Sequence, residues 1–185
     1  ELRERLTYAL AAEWPAEVLS RADGERIVLS RKGRGDRVPG IWLRGKGAVA
    51  VVVHAEGAEA ARNSAAVKEL AAAGRSVLMI DAFQTGAAKT ERQRHSRQYH
   101  VYNKSDMANR VQDILTALAF LGRSGAAPIE LVGLGDAGVW CLFAAAVAQG
   151  DVVVRAEMNG FAGHDQDFLD RFFVPGIQRA GGIPA

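Results

Sequence analysis

The sequence predicts an α/β fold with a mostly parallel central sheet and helices on both faces. Ala48 to His54 (AVAVVVH) and Ser76 to Asp81 are continuous apolar runs, the pattern of strands buried on both sides of a parallel sheet. An alanine-rich helical stretch from about Ala58 to Ala73 joins them and completes a βαβ unit. Ile129 to Leu134, a glycine turn, a helix to Ala148 and a strand from Val152 to Met158 repeat the arrangement.

The elements follow in order. Leu2, Leu6, Ala9 and Leu10 share one face of a helix over Leu2 to Ala12, which Trp14-Pro15 ends, so residues 1–15 read as an N-terminal helix and lead-in. Strands are expected around Ile27 to Ser30 and Val38 to Leu43, with the polar, glycine-rich RKGRGDR between them as a hairpin connection. Gly74 stops the alanine-rich helix. Ala82 to Ser105 is long, polar and without periodicity, the character of a functional or mobile loop. Asp106 is expected to cap a helix through Leu121, in which Met107, Val111, Ile114, Leu115 and Leu118 keep helical spacing.

Composition narrows the function classes. The 185 residues suit one domain with a core of its own, 49% of them are hydrophobic, and no apolar stretch approaches the roughly 20 residues that cross a bilayer. A soluble chain is expected. A formal charge of +2 gives no reason to expect nucleic acid or a membrane as partner. Arg92, Arg94, Arg97 and Lys104, interleaved with His95, His100, Tyr99 and Tyr102, form a local basic cluster that reads as a solvated loop for want of any nucleic-acid motif. The single Cys141 excludes an internal disulfide and a cysteine-only metal site, and its place on an apolar helix face marks it as core. Neither a metal nor a cofactor is called for. The first residue is not Met, and the last residues, QRAGGIPA, are turn-rich, so the chain is expected to be part of a larger polypeptide.

The chemistry centres on IELVGLGDAGVWCLFAAAVA, from Ile129 to Ala148. A strand, a sharp glycine turn and a helix form the elbow that presents a nucleophile in α/β-hydrolases. Aligning G-x-S-x-G-G without a gap puts Gly133 on the first glycine, Gly135 on the serine and Gly138 on the last glycine. Glycine has no atom to attack an acyl carbon. Upstream, His54-Ala55-Glu56-Gly57 follows a buried strand where such folds carry an oxyanion-hole loop, although a strand-end histidine bonded to backbone is the plainer role for His54. Asp81 ends the next strand and reads as a turn-stabilising carboxylate.

Three readings of the elbow stand open. In the first, Gly135 fills the nucleophile slot and no covalent intermediate forms. In the second, a shift of one residue makes Asp136 a carboxylate nucleophile, its charged form favoured at a helix N-terminus. The third takes GLGDAG as a dinucleotide fingerprint with Gly133, Gly135 and Gly138 under a pyrophosphate and Glu157 on the ribose. Against the third, Asp136 sets a negative charge in a phosphate-binding loop, and the motif comes after several strands instead of at the first βα turn. Gly122-Arg123-Ser124-Gly125-Ala126 imitates G-x-S-x-G, but it precedes the strand, so Ser124 reads as a loop residue. His164, with Asp165 and Asp167 beside it, follows the strand of the elbow's own βαβ unit and reads as surface loop.

GRGDRVPGIWL, VVVHAEG, VLMID, YNKSDMANRVQDILTALAFL, VGLGDAG and FFVPGIQRAGG together resemble the α/β-hydrolases of the acetyl xylan esterase-like family, over about Trp14 to Gly182. The resemblance implies an α/β-hydrolase-like core acting on acyl esters of carbohydrates, oxyanion stabilisation near His54 and the elbow backbone, and an extracytoplasmic setting. The family serine maps to Gly135, and the family's acid and histidine map beyond Ala185, so the C-terminal strands are absent from this chain. The expected function is an esterase-like domain with a degenerate elbow, in which Asp136 and His54 are the candidate catalytic groups. A non-catalytic carbohydrate-binding or scaffolding module is the alternative within the same fold.

Overall fold

A computed structural model describes residues 1–91, 104–123, 125 and 127–180. The basic cluster between Arg92 and Tyr102, and Ser124, lie outside the described residues.

Among the described residues the sheet has seven strands: β1 (Val18–Asp23), β2 (Arg26–Arg31), β3 (Val38–Leu43), β4 (Val49–His54), β5 (Ser76–Ile80), β6 (Ile129–Leu134) and β7 (Val152–Ala156). Their spatial order is β1-β2-β3-β5-β4-β6-β7. β5, β4, β6 and β7 pair in parallel, whereas β1, β2 and β3 attach to β5 through antiparallel pairs. Every residue of β5 and the inner four of β4 are buried, which explains their unbroken apolar sequences. The predicted α/β class, with its mostly parallel, doubly covered sheet, is the observed one.

The α-helices of the described residues are α1 (Leu2–Ala9), α2 (Ala58–Asn63), α3 (Ala65–Ala72), α4 (Asp106–Gly122), α5 (Ala137–Val147) and α6 (Asp165–Asp170). Ala58, Ala61, Val67 and Leu70 of α2 and α3 pack on Ala50, Val52, Val77 and Met79. On the opposite face, Val111, Ile114, Leu118 and Trp140 of α4 and α5 cover Val51, Val53, Leu78 and Leu131. Alternate strand residues thus feed two separate cores.

Four local expectations need correction. β1 is an additional strand, exposed at every residue but Val18 and paired with β2 around an Asp23-Gly24 turn. The single alanine-rich helix is two, because Ser64 takes an extended conformation and its Oγ accepts from the Val67 N–H, starting a new helix. Ser105, not Asp106, caps α4, its Oγ accepting from the Ala108 N–H at 3.2 Å. α1 stops at Ala9 because Ala11 turns to φ +45°. Gly74 ends the helical stretch at φ +72°, as the sequence implied.

Candidate functional site at the β6–α5 elbow

β4 and β6 lie side by side, with His54 in register with Leu134. Their C-terminal ends bring the 54–57 turn against the elbow, at the edge where open α/β sheets bind ligands. Gly135 sits at the crest with φ +62°, and its carbonyl accepts from the Gly138 N–H at 3.0 Å as α5 begins.

The three elbow glycines have different reasons. A Cβ on Gly133 would lie 2.6 Å from Gly138 Cα, and one on Gly138 would lie 1.8 Å from the Glu157 carbonyl oxygen. Strand, helix and the segment after β7 therefore pack backbone to backbone. Among the described residues, a Cβ on Gly135 would meet only Ala55 Cβ, at 3.8 Å. Space for a side chain exists at the crest, facing the 54–57 turn.

Asp136 follows as the N-cap residue of α5, but its side chain does not cap. Its Oδ1 accepts from Asn159 Nδ2 at 2.5 Å and from an Arg171 guanidinium nitrogen at 2.6 Å. Burial alone would raise its pKa; the hydrogen bonds from Arg171 and Asn159 and the charges of Arg171 and Arg110 outweigh it and hold the carboxyl below the usual carboxylate range. The Arg110 guanidinium stacks on the Trp140 ring at 4.3 Å, and its Nε donates to the Phe83 carbonyl at 3.1 Å. Asp136 is a well-partnered anion between two arginines.

The other candidates fall as follows. His54 Nδ1 accepts from the Glu56 N–H at 3.0 Å, the strand-end backbone role. Glu157 directs Oε2 to the Gly135 N–H at 2.7 Å. Its carboxylate thus occupies backbone that a pyrophosphate would need, which disfavours the dinucleotide reading. Asp81 Oδ1 accepts from the Ala58 N–H at 2.7 Å, with Gly57 and Gly86 so close that a Cβ on either would strike that oxygen; burial raises its pKa against the Ala58 and Ala87 N–H bonds. It is the turn-stabilising carboxylate the sequence suggested. Asp167 accepts from the His164 and Ala162 N–H groups and so ties the turn into α6. Cys141 is buried, and desolvation pushes its thiol pKa far up. Among the described residues no group of three or more His, Cys, Asp or Glu is placed to hold a metal, and no helix is long and apolar enough to cross a membrane.

Arg110, Asn159 and Arg171 were not singled out by the sequence, yet they define the electrostatics of the elbow. Arg110 had a faint signal as the single basic residue of α4. Nothing marks Arg171 in DFLDRFF, since its partner is chosen by how α6 folds back.

No family profile and no curated protein sequence matches the chain. Among solved structures, it is similar to Est1E from Butyrivibrio proteoclasticus, solved with ferulic acid bound, at 12% identity and TM-score 0.45, over 60% of this chain and 44% of that one. It is also similar to a dienelactone hydrolase from Anabaena variabilis, at 18% identity and TM-score 0.43, over 75% of this chain and 63% of that one. A probable hydrolytic enzyme from Pseudomonas aeruginosa is similar at 17% identity and TM-score 0.38, over 77% and 41%. The chain therefore spans less than two thirds of the length of each of these proteins.

Proposed function

We propose that this chain is an α/β-hydrolase-like domain of the carbohydrate acyl esterase type whose elbow holds an acyl or sugar ligand without forming an acyl-enzyme. The observation that carries the reading is the Gly135 crest: a left-handed backbone aimed at the 54–57 turn, with room for a side chain and no hydroxyl on it. Without a nucleophilic oxygen there, the two-step acyl transfer of serine hydrolases has no first step.

Asp136 is a poor substitute nucleophile on this reading. Its Oδ1 already accepts two hydrogen bonds, from Arg171 and Asn159, and a strongly stabilised carboxylate gains little by attacking. His54, its Nδ1 occupied by the Glu56 N–H, contributes to the shape of the oxyanion-side turn.

The test is ester hydrolysis by the 185-residue chain on 4-nitrophenyl acetate and acetylated xylo-oligosaccharides, with labelling by a fluorophosphonate. The expected result is turnover at the buffer rate, no labelled serine, and saturable binding of the oligosaccharide by calorimetry. Turnover that survives Asp136→Ala, or a labelled serine, would overturn the reading. Turnover that Asp136→Ala abolishes would instead establish Asp136 as the nucleophile.

A further inference from the structure

We propose that the elbow reads a sugar through its unesterified hydroxyls and not through an acyl group, with Glu157 and His54 holding a vicinal diol from opposite sides of Gly135. The inference rests on the ligand-holding elbow proposed above and names what that ligand presents. β6 lies between β4 and β7 in the sheet, so the residue that ends β4 and the residue that follows β7 flank the elbow on its two sides. The register sets His54 beside Leu134 and Ala156 beside Gly133. Two strand spacings, about 10 Å, separate the flanking backbones, a span that admits one sugar ring above β6.

Backbone fixes the hydrogen-bonding character of each flank. The Gly135 N–H donates to Glu157 Oε2 at 2.7 Å, which draws the carboxylate to the crest and leaves Oε1 and a second lone pair of Oε2 to accept. The Glu56 N–H donates to His54 Nδ1 at 3.0 Å, so the ring carries its proton on Nε2 and offers a donor there. Among the described residues no further side-chain partner engages either group. Neither fills the slot: no atom of Glu157 or His54 lies within 4 Å of where a Cβ on Gly135 would stand. One side of the crest is thus an acceptor and the other a donor.

That pairing separates a hydroxyl from an ester. A hydroxyl donates through its proton and accepts through its oxygen, so of two neighbouring hydroxyls one can donate to Glu157 while the other accepts from the His54 Nε2–H. An acetylated oxygen has no proton to give. Its carbonyl, set against Glu157, leaves two acceptors facing each other, and the carboxylate then loses water without gaining a partner. A ligand bearing its own carboxylate meets like charge at the same place. The occupant that satisfies both flanks is a neutral sugar in its deacylated form.

Calorimetric titration of the 185-residue chain with xylotriose and with fully acetylated xylotriose, in one dilute dimethyl sulfoxide buffer, tests the assignment. The expected result is saturable binding of xylotriose, about tenfold tighter or more than binding of the acetylated form. Glu157→Ala should weaken xylotriose binding about tenfold or more, and Glu157→Gln, which keeps one acceptor oxygen without the charge, should weaken it less. His54→Ala should also weaken it, and circular dichroism melts of the three variants separate a lost contact from a lost fold. Acetylated xylotriose bound as tightly as xylotriose, or bound alone, would overturn the inference while leaving an elbow that holds a ligand. An acyl-enzyme detected by mass spectrometry would instead overturn the reading beneath it. No binding of xylotriose, or binding indifferent to Glu157→Ala, Glu157→Gln and His54→Ala, would also overturn the inference.

Discussion

The backbone N–H of Gly135 donates to the Glu157 carboxylate at 2.7 Å across 22 residues of sequence. The acid that a dinucleotide reading assigns to a ribose is thus tied to the elbow by the end of β7. The same stretch of backbone leans on the elbow elsewhere, since the Glu157 N–H donates to the Gly133 carbonyl. Strand end and elbow are one unit.

Glu157→Ala removes the acceptor but leaves Gly135 open to water, so the expected loss of stability is small, about 0.5 kcal/mol. Glu157→Gln, which keeps an acceptor oxygen, should lie between the variant and the wild type in urea denaturation. Nicotinamide dinucleotides should shift the melting temperature of neither variant nor wild type. A saturable shift with the wild type would reinstate the third elbow reading.

Asp136 and Arg171 make a partly buried ion pair, with their side chains about one-third exposed. Asp136→Asn should cost about 1 kcal/mol at neutral pH, reduced from a fully buried pair by solvent screening. Because the folded carboxyl titrates below its unfolded value near 3.8, the pair's contribution is present above that value and is lost as pH falls through the lower folded one. Denaturant midpoints of wild type and variant should therefore differ at pH 7 and draw together as pH falls below the unfolded value. A gap unchanged at low pH would mean the substitution acts through packing instead.

How much of this was legible varied with what each element depends on. β4 and β5 were read because burial on both faces leaves an apolar run that nothing else explains. β1 was missed because Leu19–Asp23 is an exposed edge whose polar residues carry no periodic signal, although Asp23-Gly24 is a turn dipeptide that could have betrayed it. The break at Ser64 was concealed by alanines on both sides, and only its capping hydroxyl marks it. At the site, Gly133, Gly135, Gly138 and His54 announced themselves through local backbone geometry. Arg171 and Asn159 could not, because their approach to Asp136 is set by the path of the chain after β7.

Asp113 on α4 gives a pH-dependent prediction at neutral pH. Burial pushes its carboxyl up to about 7, against a hydrogen bond from the Phe83 N–H and the charge of Arg31, with Asp36 adding to the rise. Arg110, one turn earlier, donates to the carbonyl of the same Phe83 at 3.1 Å, so α4 holds both backbone polar groups of that residue. A carboxyl raised above its unfolded value supports the fold fully below about pH 4 and loses that support as pH climbs to about 7. Asp113→Asn keeps an acceptor for the Phe83 N–H and carries no charge. It should match the wild type near pH 4 and exceed it at pH 8 by up to about 4 kcal/mol. Urea midpoints across that range check the sign; a variant less stable than wild type at pH 8 would contradict the buried-acid account.

The elbow glycines should separate under alanine substitution according to what surrounds them. At Gly138 a Cβ would overlap the Glu157 carbonyl oxygen, 1.8 Å away, and the obstacle is backbone that cannot rotate aside. Gly138→Ala should therefore cost about 3 kcal/mol or more, or abolish folding, and Gly133→Ala, at 2.6 Å from Gly138 Cα, should approach it. At Gly135 the only atom of the described residues that a Cβ would meet is Ala55 Cβ at 3.8 Å, and the cost reduces to placing an L-residue at φ +62°, about 1 to 2 kcal/mol. Gly135→Ser should be tolerated like Gly135→Ala, which puts a hydroxyl at the crest without unfolding the chain. Equilibrium denaturation of the four variants decides the order. If Gly135→Ala proved as damaging as Gly138→Ala, the crest would be closed by something other than backbone conformation.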